Sequence, residues 1–324
     1  MSGIDNNAAR SWKSDGTHGL ALVTAWATAA LLFIGGLVTS KGVGLAVPDW
    51  PTTFGHNMFL FPWSGMVGGV FYEHGHRLFA SGVGLLTASL ALVLWVRESR
   101  AWVRWLGVLA FILVVLQGVL GGLRVVLLEQ VLAVIHGCLA QTFFALMVSL
   151  ALFTSEEWRG APGRARLTEG ASLRRLALLT VGFIYLQVVL GAVLRFTGTL
   201  LEAHLLVAFL VAVHVFLLHR HVHRTALQEP GLKRGALFLG ALLILQLALG
   251  TAAAVGKFAP WGWTLSPASM VFFATTHLVV GGLMLGTSLV LALRAVRLAG
   301  WREPLSDGRF IHARAGEKPE GVSA

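Results

Sequence analysis

Cysteine and charge are both scarce in this sequence. Cys138 is the one cysteine in 324 residues, so the chain can form neither an internal disulfide nor a cluster of thiolate ligands. Charged residues make up only 12%, which is about half their share in a typical soluble domain. Hydrophobic residues make up 56%. This composition excludes a disordered, fibrous or ordinary soluble protein and indicates an integral membrane protein.

Proline is also sparse, and the nine prolines are all expected in loops or tails. They leave eight long apolar runs uninterrupted. Most of these runs have the roughly 17–25 residues that a helix needs to cross a bilayer. The sixth run is short, and extending it back through Glu202 and His204 makes it long enough. The sequence therefore predicts an all-α integral membrane protein with eight transmembrane helices, built on the runs 20–38, 78–96, 106–123, 131–153, 176–194, 205–218, 236–255 and 270–293.

The distribution of positive charge predicts the orientation of these helices. Eight spans place both termini on one side of the membrane, and 20 of the 25 Lys and Arg residues fall on that side. The positive-inside rule therefore predicts cytoplasmic termini. The same bias accounts for the net charge of +10, so membrane lipid and not nucleic acid is the expected partner. The first run is full length and is expected to be a span, not a cleaved signal.

An internal repeat divides the chain into two parallel halves. The third, fifth and seventh runs end in LQGVLG (116–121), LQVVLG (186–191) and LQLALG (245–250), whereas the first run has Leu31 in place of the glutamine and ends in Gly35-Gly36. Small residues at such positions let neighbouring backbones approach closely. Two pseudo-symmetric four-helix bundles follow. The predicted parts are a tail (1–19), an N-terminal half (20–154), a linker (155–173), a C-terminal half (174–298) and a second tail (299–324).

Each even-numbered helix carries a histidine near its outer end: His76, His136, His204 and His277. Ionisable side chains in membrane spans are rare and usually face the bundle interior. Carboxylate clusters and usable cysteines are missing nearby, so ordinary zinc or iron–sulfur sites do not fit. Paired histidines on facing helices suit the two axial positions of haem iron. The sequence predicts one haem site per half, with His76 paired to His136 and His204 paired to His277.

Three further charged residues lie near these histidines. Arg124 and Arg195 end odd-numbered helices, where they either meet haem propionates or simply extend to the membrane interface. Glu73 lies three residues before His76, so both side chains leave one face of a helix. Glu73 is therefore a candidate proton donor or acceptor, and the alternative is a solvated residue at the membrane boundary.

Two segments resemble the haem A synthase family. GGLVTS (35–40) followed by GLAVPDWP (44–51) is similar to the end of that family's first helix and its outer loop. EHGHR (73–77) resembles the family's ExxHR signature at the start of helix two. The resemblance covers residues 20–298. Some relatives carry a cysteine pair in this loop, and here the segment 41–72 has none, so no thiol role is expected. We expect the loop to cover the substrate pocket.

The resemblance implies a reaction. Family members oxidise the C8 methyl group of haem O to the formyl group of haem A, through two hydroxylations and loss of water, for use in haem-copper terminal oxidases. It implies a multi-pass protein of the bacterial inner membrane, with the haem O synthase and an unidentified electron donor as partners. By motif match, Glu73 is the functional glutamate and Arg77 completes the signature. His76 and His136 would form the substrate haem O site, and His204 and His277 would hold haem b.

Two other functions remain open at this point. A di-haem transmembrane cytochrome b for electron transfer would share the paired histidines and would not need Glu73 beside one of them. A transporter or haem-handling assembly factor would share the parallel repeat. That third class is favoured by broken helices at mid-membrane, and no span in this sequence is interrupted by proline.

Overall fold

The computed structural model describes residues 6–160, 170–225, 229–258 and 265–299. These residues form eight long helices, and no β-strand occurs among them. A four-residue helical turn, Glu156–Arg159, lies between the fourth and fifth helices. The long helices are α1 (Asn6–Ser40), α2 (Gly68–Arg97), α3 (Ala101–Leu127), α4 (Gln130–Thr154), α5 (Gly170–Thr197), α6 (Leu201–Thr225), α7 (Pro230–Phe258) and α8 (Pro267–Ala299).

All eight helices are long and apolar enough to cross a membrane, which confirms the predicted number of spans and a multi-pass membrane protein. Each helix extends beyond its apolar run. Helix α1 begins at Asn6 and α5 at Gly170, ahead of positions 20 and 176, where their apolar runs begin. Hydrophobicity marks only the part of a helix suited to lipid, whereas backbone hydrogen bonding continues into the polar ends.

Two prolines do not lie where the sequence predicted. Pro230 and Pro267 are the first residues of α7 and α8 and do not belong to loops. Proline is well suited to the first helical position, since its missing N–H would have no partner inside the helix there. Pro48, Pro51 and Pro62 lie in the α1–α2 loop (41–67) as expected, and the other four prolines lie outside the described residues.

The helices pack as two rings of four. Helices α1, α2, α3 and α4 contact one another in order and α4 closes on α1, while α5, α6, α7 and α8 do the same. The rings meet where α8 packs on α1 and α4, and where α4 packs on α5. Gly282 and Gly286 of α8 face Gln141 and Phe144 of α4, so small residues bring these two helices close.

The connections between helices alternate between two ends of the molecule. One end carries the α1–α2, α3–α4 and α5–α6 connections together with the end of α7 and the start of α8, and we call it the histidine end because His76, His136, His204 and His277 lie near it. At the opposite end, Glu98 accepts hydrogen bonds from the backbone N–H and guanidinium of Arg100. Burial raises the pKa of Glu98, but the hydrogen bonds from Arg100 and the nearby charges of Arg100 and Arg159 outweigh it, so the pKa is lowered.

Candidate functional site

One contact recurs in all four helical hairpins of the histidine end. A histidine on the second helix packs against a glycine on the first, and a Cβ added to that glycine would lie 2.7–3.2 Å from the histidine Cε1. At Gly250 such a Cβ would overlap the ring, and at the other three glycines it would crowd the ring. The repeated glycine therefore makes space for an imidazole side chain, beyond the close backbone approach that the sequence predicted. The four pairs are Gly35–His76, Gly121–His136, Gly191–His204 and Gly250–His277.

The glutamine of the repeat also contacts the histidine of its own hairpin. Gln187 Nε2 lies 3.1 Å from His204 Nε2, and Gln246 Nε2 lies 3.3 Å from His277 Nε2. Gln117 Nε2 instead donates to the backbone carbonyl of His136 at 3.1 Å. In the first hairpin Leu31 takes the place of glutamine, so His76 has no amide neighbour of this kind.

The ring positions in the second half suit one metal ion between two imidazoles. The ring centres of His204 and His277 are 6.4 Å apart. A metal–imidazole bond is about 2 Å and the bound nitrogen lies about 1 Å from its ring centre, so two rings on opposite sides of one iron have centres about 6 Å apart. In the first half, the two hairpins that carry His76 and His136 pack in one ring of helices. Each ring therefore contains two of the four histidines.

Several buried polar atoms around these histidines lack a partner among the described residues. They are Nδ1 of His76, His136 and His204 and Oε1 of Gln117, Gln187 and Gln246. A buried polar atom left unpaired costs about 1–3 kcal/mol, so such a cluster is typical of a site that another group completes. The described residues contain no group of three or more His, Cys, Asp or Glu side chains suited to a bare metal ion. Paired histidines with polar neighbours fit a haem better.

Glu73 is buried beside the first pair. Only 3% of the surface of Glu73 is exposed, which excludes a solvated position at the membrane boundary. Oε1 accepts a hydrogen bond from Arg77 Nη2 at 2.9 Å, and Oε2 accepts one from the backbone N–H of Val47 at 2.8 Å. The carboxylate thus joins helix α2 to the α1–α2 loop, and both its oxygens are engaged.

Arg77, whose role the sequence left undefined, fastens this loop. Its Nη1 donates to the carbonyls of Asp49 and Thr52, and its Nη2 donates to the carbonyl of Val47 and to Glu73. Each terminal nitrogen of a guanidinium carries two hydrogens, so both are fully used. We call this set of contacts between Arg77 and residues 47–52 the clasp.

Asp49 gives the loop inside the clasp its shape. Its carboxylate accepts hydrogen bonds from the Thr52 hydroxyl and from the backbone N–H groups of Phe54 and Gly55. Slight burial raises the pKa of Asp49, but these hydrogen bonds outweigh it and lower the pKa from 3.8 to about 2. The PDWP segment (48–51) and the EHGHR segment (73–77) are therefore two sides of one hydrogen-bonded unit.

His74 is a site residue that sequence reasoning passed over, because it lies two positions from His76 and so on another face of the helix. The structure buries it, with 1% exposure, and its Nδ1 lies 3.0 Å from the Thr53 hydroxyl. Its ring packs on Phe61 of the same loop, with centres 5.1 Å apart. The sequence places PDWP in the loop just before α2 and EHGHR near the start of α2. That proximity was the available signal that His74 could contact the loop.

The two arginines expected near haem propionates occupy different surroundings. Arg124 donates one hydrogen bond, to the carbonyl of Gly44, and its other donors have no hydrogen-bond partner among the described residues. Arg195 donates to the carbonyls of Ala274 and Gly36 and to the Ser40 hydroxyl, so it joins α5 to both α1 and α8. Arg124 has more donor capacity left for an anionic ligand than Arg195 has.

An eight-helix membrane protein with a half-buried histidine packed on a glycine in each hairpin is the class that this geometry defines. Within that class, the model of the COX15-CtaA family, described as cytochrome oxidase assembly protein, matches residues 18–203, more than half of the chain. The chain belongs to this family, which confirms the resemblance to haem A synthases. A comparison with curated proteins finds no match.

Proposed function

We propose that this protein is a haem A synthase. It oxidises the C8 methyl group of haem O to a formyl group by successive hydroxylations, and the haem A formed serves haem-copper terminal oxidases. Membership of a family of cytochrome oxidase assembly proteins supports this reaction. The observation that carries the proposal is the buried carboxylate of Glu73 one helical turn before His76.

The two halves differ at this position, which supports different tasks for them. The residues three before His136, His204 and His277 are Ala133, Leu201 and Ala274, so only His76 has an acidic residue there. Glu202, two residues before His204, lies in the first turn of α6 and is exposed. A site for electron transfer alone needs no carboxylate beside its ligand, whereas an oxidation that moves protons does.

The residues divide between two haem sites. His76 and His136 would hold haem O as substrate, with Glu73 as proton donor or acceptor and Arg124 as a partner for a propionate. His204 and His277 would hold haem b, with Arg195 near its edge. Bound haem supplies the iron redox chemistry, and the protein supplies the ligands, the buried carboxylate and an apolar surrounding. An electron donor outside this chain would supply the electrons that the reaction needs.

The architecture that fits this function is a pair of pseudo-symmetric four-helix bundles with parallel topology. The recurrence of the Gly–His contact in every hairpin supports the symmetry. The excess of Lys and Arg at the opposite end supports cytoplasmic termini in a bacterial inner membrane. Haem O arrives from the haem O synthase, which we propose as a partner of this protein in the membrane.

The test is chemical. Membranes that contain this chain together with a haem O synthase are extracted. Their haems are separated by chromatography and identified by mass spectrometry. Haem A or its hydroxylated precursor should appear only when this chain is present. Glu73→Gln should lower the yield by about a hundredfold, as expected for the loss of an acid–base group, with both haems retained. Glu202→Gln, on an exposed acid of the other half, is the matched control.

A di-haem cytochrome b predicts a different result. The 6.4 Å separation of His204 and His277 would serve electron transfer equally well. If haem O stays unconverted with oxygen and reductant present, and the purified protein passes electrons between external donors unaffected by Glu73→Gln, the protein is an electron-transfer cytochrome.

A further inference from the structure

Trp50 of the α1–α2 loop lies on helix α3 at the first histidine pair. Its indole covers Gly122, where an added Cβ would overlap the ring. The preceding residue, Gly121, makes room for His136 in the same way. Two successive glycines therefore accommodate two rings, one from the loop and one from helix α4, on adjacent faces of one helical turn.

The clasp fixes Trp50 from both sides. Arg77 binds the carbonyls of Val47 and Asp49 before the indole and that of Thr52 after it. The loop is held further by Glu73 at Val47 and by Arg124 at Gly44. Glu73 lies one helical turn before His76 on α2, and Arg124 lies one helical turn after Gly121, the glycine that contacts His136. The loop therefore crosses the histidine end of the molecule at this site.

Although it is held so firmly, Trp50 keeps 36% of its surface exposed. An aromatic ring that served only to anchor the loop would be expected in a closed apolar pocket, as Val47 is with 0% exposure. A flat ring fixed beside His136 with one part uncovered is suited to stack or pack against another flat apolar molecule.

We propose that Trp50 is a wall of the N-terminal substrate site that contacts the macrocycle and sets its orientation, and that the clasp positions this wall. The inference rests on the proposed function for the identity of the substrate. The edge of a haem carries several methyl groups, and only one is to be oxidised. A fixed indole at one side of the site restricts the rotations in which the macrocycle fits. Trp50 is thus a determinant of substrate affinity and of the position oxidised.

The experiment uses the purified full-length protein and two routes to the same defect. Trp50→Ala removes the indole. Gly122→Ala keeps the tryptophan but pushes its ring away from helix α3. Haem O and haem b are each titrated and followed by absorption, independently of turnover, and kcat and KM are measured with haem O. Controls are Gly118→Ala, where an added Cβ on the same helix meets nothing within 4 Å, and Trp63→Ala, a loop tryptophan with 80% exposure.

Both variants should weaken haem O binding by about tenfold, the order expected for one lost aromatic contact, and raise KM more than they lower kcat. Trp50→Phe should recover most of the affinity, and haem at His204 and His277 should be unchanged. Cleavage by protease at the exposed Phe59–Leu60 segment reports whether the loop remains closed.

Wild-type affinity in Trp50→Ala, or equal losses in Trp50→Ala and Trp63→Ala, would overturn the inference. So would a loss of affinity found only together with loop opening, since Trp50 would then be an anchor. A wild-type protein that binds haem O without oxidising it would refute the proposed reaction, while the binding comparison would still decide the role of Trp50.

Discussion

At Gly250, a missing side chain decides where a histidine can lie. A Cβ there would be 2.7 Å from Cε1 of His277, closer than nonbonded carbon atoms approach in proteins. His277 Nδ1 also lies 3.2 Å from the backbone carbonyl of Gln246, which is on α7 with Gly250. Helix α7 therefore both leaves space for the ring and binds it. Its neighbour in the proposed haem b site, His204, depends on Gly191 in the same manner.

We therefore expect Gly250→Ala to displace His277 and to weaken haem retention in the C-terminal half by about tenfold, as changes beside a metal ligand commonly do. Haem content and absorption spectra of the purified protein measure this. Gly240→Ala is the control, because an added Cβ at that position of α7 meets nothing within 4 Å. Equal haem content in the two variants would mean that His277 is not placed by this contact.

Part of the site could be predicted from single residues and part could not. Histidine is rare in apolar helices, so His76, His136, His204 and His277 stood out in the sequence alone. The roles of His74 and Arg77 did not, because their partners in the loop are backbone carbonyls and a hydroxyl of residues 47–53. Every residue has the same backbone carbonyl, so the sequence does not show which carbonyl a given side chain will bind.

The α1–α2 loop is an element without regular structure that is held by hydrogen bonds. Apart from two short 3-10 turns, Met58–Leu60 and Trp63–Gly65, its shape depends on Asp49 and the clasp. Asp49 belongs to this network and lies outside the membrane spans, and the charge of its carboxylate changes with pH. Its pKa of about 2 lies below the ordinary value of 3.8 because the ionised form accepts the loop hydrogen bonds.

A lowered pKa in the folded protein means that ionised Asp49 stabilises the closed loop above its ordinary pKa. That stabilisation is complete above pH 3.8 and is lost as pH falls towards about 2. We expect pepsin cleavage near Phe59 and Leu60, normalised to an unfolded reference peptide, to rise steeply over this interval. Asp49→Asn should cleave readily at all these pH values, with no step. A step of equal size in both proteins would contradict this assignment.

At the level of elements, the apolar runs predicted all eight helices but not their ends. The sixth run illustrates why. Its apolar part covers 14 residues, 205–218, and helix α6 occupies Leu201–Thr225, with polar residues at both ends. Hydrophobic runs report contact with lipid, and helix ends depend on capping and on contacts with other elements.

Across the whole molecule, Arg195 makes a polar link between the two rings of helices. From α5 it reaches Gly36 and Ser40 on α1 and Ala274 on α8, and Ser40 in turn lies 2.8 Å from the Thr275 hydroxyl. Helix α8 is the most buried of the spans because it packs on both rings. The sequence placed Arg195 at a helix end but did not reveal this link, since its partners come from elements more than 75 residues away in the chain.

We expect Arg195→Met to lower the free energy of unfolding in detergent by about 2 kcal/mol, the scale of lost hydrogen bonds to a charged group. Arg175→Met, on an exposed residue at the other end of α5, should have little effect. Thermal or denaturant unfolding of the two variants gives the comparison. Normal stability with loss of haem in Arg195→Met would show that this arginine serves the ligand and not the contact between rings.

The smallest unit that carries the Gly–His contact is a hairpin of two helices, and it occurs four times. A single hairpin offers one ligand, so a haem held by two histidines requires two hairpins. In evolutionary terms, two successive gene duplications of an ancestral hairpin that paired with itself would produce the present chain. Leu31, which replaces the repeated glutamine, lies in the hairpin that also carries Glu73 and the long loop.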